Sequence, residues 1–433
     1  MRRIWATMLL GCAVAAGLPV RAAEAPQAWV ALAPTGGSVV RVVTSAAACP
    51  VVTVDGRAHP MAVRAAPGLM PQRANKAEVA GPIAFSSRVC ERAVPRNARR
   101  ASLNGTRLPL PPARVNRIVV IGDTGCRLKA ADHAWQACND PAQWPFARIA
   151  ARAAALKPDL VLHVGDYLYR ENPCPADKPG CAATAWGYGE DGWRADFLTP
   201  AAPLLAAAPW VFVRGNHEEC ARGGQGWWRL LDPHALHEGR DCRDPANDPA
   251  GNRTAPYAVA LGHGARLVIA DLVGFATSNP DAAQFDQDMA HIARLSHGAT
   301  PGFVAAHFPF NAVRWDGTGT GAITIGSKPV SQLRVPPLPH VAAMLAGHIH
   351  EFQFARFTDR PVQIITGFSG TLEDVPPAPA NLADAAGKPG AAALKDLTTV
   401  LDRYGFGLLE RRARGWRLTV YADDGAVLAR FSL

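Results

Sequence analysis

Leu160-Val161-Leu162-His163-Val164-Gly165-Asp166-Tyr167-Leu168-Tyr169 decides how the rest of the chain is read. A short apolar run, rich in β-branched residues, stops on a Gly-Asp pair. That is the pattern of a buried strand ending in a tight turn that carries a carboxylate. The same construction recurs on both sides. Ile118-Val119-Val120-Ile121 leads into Gly122-Asp123-Thr124-Gly125, and Trp210-Val211-Phe212-Val213 leads to Gly215-Asn216-His217-Glu218. Phe303-Val304-Ala305-Ala306 precedes His307-Phe308-Pro309, and Met344-Leu345-Ala346 precedes Gly347-His348-Ile349-His350. Two further runs, Leu267-Val268-Ile269-Ala270 and Val362-Gln363-Ile364-Ile365, read as strands without such an ending.

Between these runs the spacing predicts helices near 143–156, 194–208 and 281–297. Strands alternating with helices make a layered α/β core. In such sheets polar groups that follow strands gather on one rim, where ligands bind. A lone Gly-Asp or Gly-Asn-His is ordinarily a turn. Five polar endings in order, each after a strand, put carboxylate, amide and imidazole donors together. Oxygen and nitrogen donors of this kind suit hard to borderline metals such as iron, manganese and zinc.

The five motifs in this order resemble the metallophosphoesterase (calcineurin-like phosphoesterase) superfamily, over roughly residues 117–370. The resemblance implies a four-layer α/β/β/α sandwich and a phosphoric ester hydrolase with two metal ions. By resemblance, Asp123, Asp166, Tyr169 and His350 hold the first ion. Asp166, Asn216, His307 and His348 hold the second, with Asp166 shared. His217 is the implied catalytic residue, bonding the phosphate or protonating the leaving oxygen. A hydroxide on the metals is the implied nucleophile. Many members have Asp-x-His in the first motif, and Gly125 departs from that. Tyr169, three residues after Asp166, instead resembles the tyrosine of purple acid phosphatases. A phenolate is a hard anionic donor that favours Fe(III), so the expected pair is Fe(III) with a divalent Fe, Zn or Mn. The same tyrosine makes a small phosphate monoester the leading substrate, with no specific nucleic acid as partner. A phosphodiesterase or nuclease on the same core, and a non-catalytic exported metal- or partner-binding protein, stand as alternatives.

Other residues carry weaker signals. Glu218 and Asp271 are expected to support ligands, and Arg314 and Trp315 are candidates for touching substrate or for an ordinary surface role. His163, His291, His297 and His340 read as core or surface histidines. Gly317-x-Gly319-x-Gly321 reads as a flexible loop near His307 rather than a nucleotide motif, and Gly-x-Ser-x-Gly is absent.

Outside the core, residues 1–25 have the layout of a signal peptide: Arg2 and Arg3, an apolar run from Ile4 to Val20, and small residues Ala22, Ala23 and Ala25 as cleavage points. Gly11, Gly17 and Pro19 argue against a transmembrane anchor. Leu9-Leu10-Gly11-Cys12 resembles a lipid-attachment site, but the apolar run continues past it. Export to the periplasm or medium is therefore the expectation. Of the nine cysteines, eight would remain after cleavage, an even number that suggests disulfides. Nearest-neighbour pairing is expected, Cys49–Cys90, Cys126–Cys138, Cys174–Cys181 and Cys220–Cys242. The formal charge of +9 would attract anionic substrates, although an Arg-rich composition alone also explains it. Residues 27–112 read as a small β-rich domain, with Asp55-Gly56 as a turn, running into an Arg- and Pro-rich linker through 65–112. The catalytic domain follows at 113–433. Pro376–Thr399 reads as a surface loop and Tyr404–Leu433 as three strands turning at Asp423-Asp424-Gly425.

Overall fold

The computed structural model describes residues 26–433, apart from 35, 74–82, 238, 318–320, 328–329, 331 and 375–377. The signal-peptide and Cys12 readings, and Gly319, lie outside the described residues. Among those described, two large sheets form, of ten and seven strands. The first has Arg117–Ile121, Leu160–His163 and Trp210–Phe212 in parallel at its centre. The second places Ala265–Ile269, Gly302–Ala305, Val341–Ala346 and Val362–Thr366 in parallel.

Alternate residues of each central strand point to opposite faces, and both faces are apolar. Ile118, Val120, Leu160 and Leu162 meet Leu267, Ile269, Phe303 and Leu345 between the sheets. On the outer face of the first sheet, Val119, Ile121 and Val161 pack on Phe146 and Ile149 of the helix Phe146–Ala155. On the outer face of the second, Val268, Val304 and Met344 pack on Phe285, Met289 and Ile292 of the helix Ala282–Ser296. That helix begins where Asp281 accepts a hydrogen bond from the Gln284 N–H, an N-cap. The order is helix, sheet, sheet, helix. Each predicted strand of the core is present. In the 194–208 stretch the helix is broken, a π-type turn at Arg194–Leu198 preceding Ala202–Ala207.

Residues 27–112 add strands rather than a linker. Gln27–Leu32 pairs in parallel with Trp210–Phe212 through Ala31 and Trp210, and Ser38–Thr44, Arg88–Val94 and Ala62–Ala65 extend the first sheet outward. A four-stranded sheet, including Ala101–Leu103 and Thr106–Leu108, covers them. The linker reading of 65–112 fails because these strands are stabilised by partners distant in sequence, which local pattern does not display. The Pro376–Thr399 loop is corrected likewise: Leu394–Val400 is a strand paired with Phe352–Phe357. The three C-terminal strands form as expected. All four disulfides join the nearest-neighbour cysteines. Among the described residues no helix is long and apolar enough to cross a membrane.

Candidate metal centre

Each motif follows the end of a central strand, and three of the seven candidate ligands take left-handed backbone there. Asp123, Asp166 and His348 have φ of 54°, 59° and 71°. Such conformations are uncommon outside glycine and gather at functional sites. The turns are tied to each other. The Thr124 N–H donates to the Asp166 carbonyl at 3.1 Å, the His348 N–H to Asp123 Oδ2 at 3.0 Å, and the His217 N–H to Asp166 Oδ1 at 2.8 Å.

The side chains converge in two groups that share Asp166. In the first, Tyr169 Oη lies 2.9 Å from Asp123 Oδ1, 2.8 Å from Asp166 Oδ2 and 2.9 Å from His350 Nε2. In the second, His307 Nε2 lies 3.1 Å from Asp166 Oδ2 and 3.0 Å from Asn216 Oδ1, which is itself 3.1 Å from His348 Nδ1. Asp166 Oδ2 thus faces both groups. The potential ligand atoms of Asp166, His307 and His348 lie within 4.8 Å of one another.

This donor set fits cations better than it fits itself. The phenol of Tyr169 has one proton and faces two carboxylates and a ring nitrogen, so that proton cannot satisfy all three. The imidazoles are aimed from behind. His307 Nδ1 is 2.9 Å from the Val164 carbonyl and His350 Nδ1 is 2.9 Å from the Leu372 carbonyl, which leaves each Nε2 turned inward. Metal-ligating histidines are held this way. Burial pushes the Asp123 carboxyl well up. Burial, and then the neighbouring His307, hold the His348 imidazole down at about 3, leaving a neutral ring with a free lone pair. Burial opposes charge on His307, but Asp166 overrides it and lifts that imidazole to about 9.

His217 stands against the same rim, its Nε2 3.9 Å from Asp166 Oδ2. Its Nδ1 lies 2.7 Å from Glu171 Oε1, and the Arg222 guanidinium contacts both residues. Burial and then Arg222 bring the His217 imidazole down to about 4. Glu171 and Arg222 escape the sequence reading, although each lies within six residues of a motif. Asp374, 3.4 Å from His350 Nδ1, and Arg127, 3.4 Å from the same atom, also escape it.

The support expected of Glu218 is visible: its carboxylate accepts the N–H groups of Gly215, Asp166, Tyr167 and Leu168. Asp271 pairs with Arg214 at 2.5 Å, one residue before the third motif. Arg314 and Trp315 lie in the short strand Val313–Trp315, both partly buried. His163 is a core histidine, 2.9 Å from Thr124 Oγ1 and stacked on Tyr167. His291, His297 and His340 lie away from the rim, on or beside the helix Ala282–Ser296 and before the strand Val341–Ala346.

The sequence model of the calcineurin-like phosphoesterase family matches residues 116–352, more than half of the chain. No curated protein matches the sequence. Among solved structures, the purple acid phosphatase PPD1 from yellow lupin (Lupinus luteus) seeds is similar at 15% identity and a TM-score of 0.59, over 94% of this chain and 74% of the lupin chain. PhoD is similar at 11% identity and a TM-score of 0.51, over 94% of this chain and 88% of its own. At such identities the likeness is one of fold. The family match, reached through motifs that the fold brings to one rim, makes this chain a member of the calcineurin-like phosphoesterase family and a metal-dependent phosphoric ester hydrolase.

Proposed function

We propose that this chain is an exported phosphomonoesterase with a dinuclear metal centre. The observation that carries the reading is the double cluster around Asp166, with Tyr169 Oη within 2.9 Å of two carboxylates and an imidazole. Asp123, Asp166, Tyr169 and His350 would hold one ion, and Asp166, Asn216, His307 and His348 the other. Two such ions acidify coordinated water and clamp the attacking and leaving oxygens of a phosphoryl transfer. The protein's own groups do the rest. Asn216, His307 and His348 fix the rim from buried or half-buried positions. Glu171 takes the Nδ1 side of His217 and leaves Nε2 free; an arriving phosphate anion favours the protonated ring, whose Nε2–H would then bond the phosphate or pass to the leaving oxygen. Arg127, beside His350, adds positive charge where the anion arrives.

The phenolate of Tyr169 supports Fe(III) in the first position, with a divalent Fe, Zn or Mn in the second. Export is supported by the N-terminal sequence and four disulfides. The test compares hydrolysis of a chromogenic phosphate monoester with that of its diester. Dominant monoester turnover supports the proposal, and dominant diester turnover overturns the substrate assignment. The iron assignment has its own test. Purified protein is expected to be coloured by phenolate-to-iron charge transfer, and Tyr169→Phe to bleach it. A colourless protein holding two zinc or manganese ions contradicts Fe(III) and leaves the hydrolase intact.

A further inference from the structure

Past the strand Arg88–Val94 the chain carries Arg96, Arg99 and Arg100, and the hairpin strand Thr106–Leu108 brings back Arg107. All four are exposed, and none forms an ion pair with a described residue. Residues 92–114 hold six arginines and no Asp or Glu, so the local charge is not neutralised from within. Asp55, which borders the patch, spends Oδ1 on the backbone N–H groups of Arg99 and Arg100 at 3.0 and 2.9 Å.

Two clefts adjoin here. One, of ≈ 590 Å³, is lined by Arg96, Arg99 and Arg107 above an apolar floor that includes Leu32, Leu108 and Val259. The other, of ≈ 580 Å³, is lined by Arg99, Arg100 and Arg107 beside Thr53 and Ser102. Arg99 and Arg107 belong to both, so the two clefts meet at these residues and four arginines border one continuous basic surface. A small anion needs donors converging on one point. A set of planar forks, each able to grip two phosphate oxygens, matches negative charges repeated along a chain. No candidate ligand of the catalytic rim lines either cleft. Leu110–Ala113 line the first cleft just before the strand Arg117–Ile121 begins, whereas Asp123 follows the end of that strand.

We propose that this groove is a second, non-catalytic site that binds a linear phosphate-bearing polyanion. It would hold such a polymer on the enzyme independently of the metal centre. The proposal does not rest on the monoester or iron assignments. It is tested by fluorescence anisotropy with labelled linear inorganic polyphosphate on the full protein. Arg99→Gln with Arg107→Gln is compared with a charge-matched control, Arg152→Gln with Arg294→Gln, on exposed positions of two helices. The groove pair is expected to weaken binding by about tenfold or more and to flatten its salt dependence. Monoester turnover should be unchanged, and the control pair should bind as wild type. Equal weakening by both pairs would show only the protein's overall charge at work and overturns the site. So does wild-type binding by the groove pair. Competition of polyphosphate by a monoester substrate would move the site to the metal rim. Tighter binding to phosphatidylglycerol vesicles than to polyphosphate, lost in the same pair, would replace the polymer with a membrane surface.

Discussion

Gly125 shows how one atom decides which side chain the rim can accommodate. A Cβ there would lie 2.8 Å from the Tyr167 carbonyl oxygen and the Tyr169 N, and 2.9 Å from Asp196 Oδ2. The space that a histidine would need is filled by the loop that delivers Tyr169, whose N–H donates to Asp196 at 2.7 Å. Gly125→Ala is expected to cost about 1–3 kcal/mol through overpacking, read as a lower urea midpoint. An unchanged midpoint would mean that the Tyr169 loop yields freely. Glu351 makes a pH prediction at the same scale. It is buried, and its Oε1 has no partner among the described residues. Burial lifts its carboxyl to about 7. As pH rises from about 4.5 to 7, the unfolded chain releases this proton while the native protein keeps it, so stability falls across that window and then levels. Glu351→Gln should remove that loss, raising Tm at pH 8 but not at pH 4.5, by at most about 3 kcal/mol. An equal change at both pH values would contradict it. The seven candidate ligands were legible as candidates because each belongs to a short motif that follows an apolar run. Glu171 and Arg222 were not, since what marks them is a contact with His217 made across two loops.

The elements explain why isolated turns make one site. Parallel strands present all their C-terminal ends to the same side, so Gly-Asp, Gly-Asn-His and Gly-His-x-His meet without any of them being near in sequence. Glu218 fastens two of those ends together. It takes one N–H from the third motif and three from the second, so Asp166 is aimed from behind. Glu218→Gln replaces one acceptor oxygen by an amide that confronts backbone donors. It is expected to weaken metal binding by roughly 10–100-fold, measured by chelator competition. Wild-type affinity would show that the turns hold themselves. The strands of the core were readable from apolar runs and turn residues. The strands of residues 62–108 were not, because short edge strands with mixed polarity carry little period and are specified by their neighbours. The disulfides were readable in part, since nearest-neighbour pairing is the simplest topology among many.

At the scale of the whole molecule, two sheets pressed face to face supply the rigidity on which buried carboxylates can be crowded together. Asp123 and Asp166 are essentially inaccessible, and the single phenol proton of Tyr169 faces three groups around Oη. The N-terminal strands widen the first sheet, and the turns and hairpin beside them carry the arginine groove, whose lining shares no residue with the candidate ligands. Which family the chain belongs to was legible from motif order. How residues 27–112 join the core was not, because that depends on contacts between residues far apart in sequence, such as the parallel pairing of Ala31 with Trp210 and the bonds of Arg41 and Arg64 to the Leu230 and Trp228 carbonyls. The account rests on two cations sharing Asp166, and anomalous X-ray scattering from crystals of the metal-loaded protein tests it most directly. It predicts two peaks about 3.5–4 Å apart, one beside Tyr169 and His350 and the other beside Asn216, His307 and His348, with Asp166 between them. A single peak, or peaks away from Asp166, would contradict it.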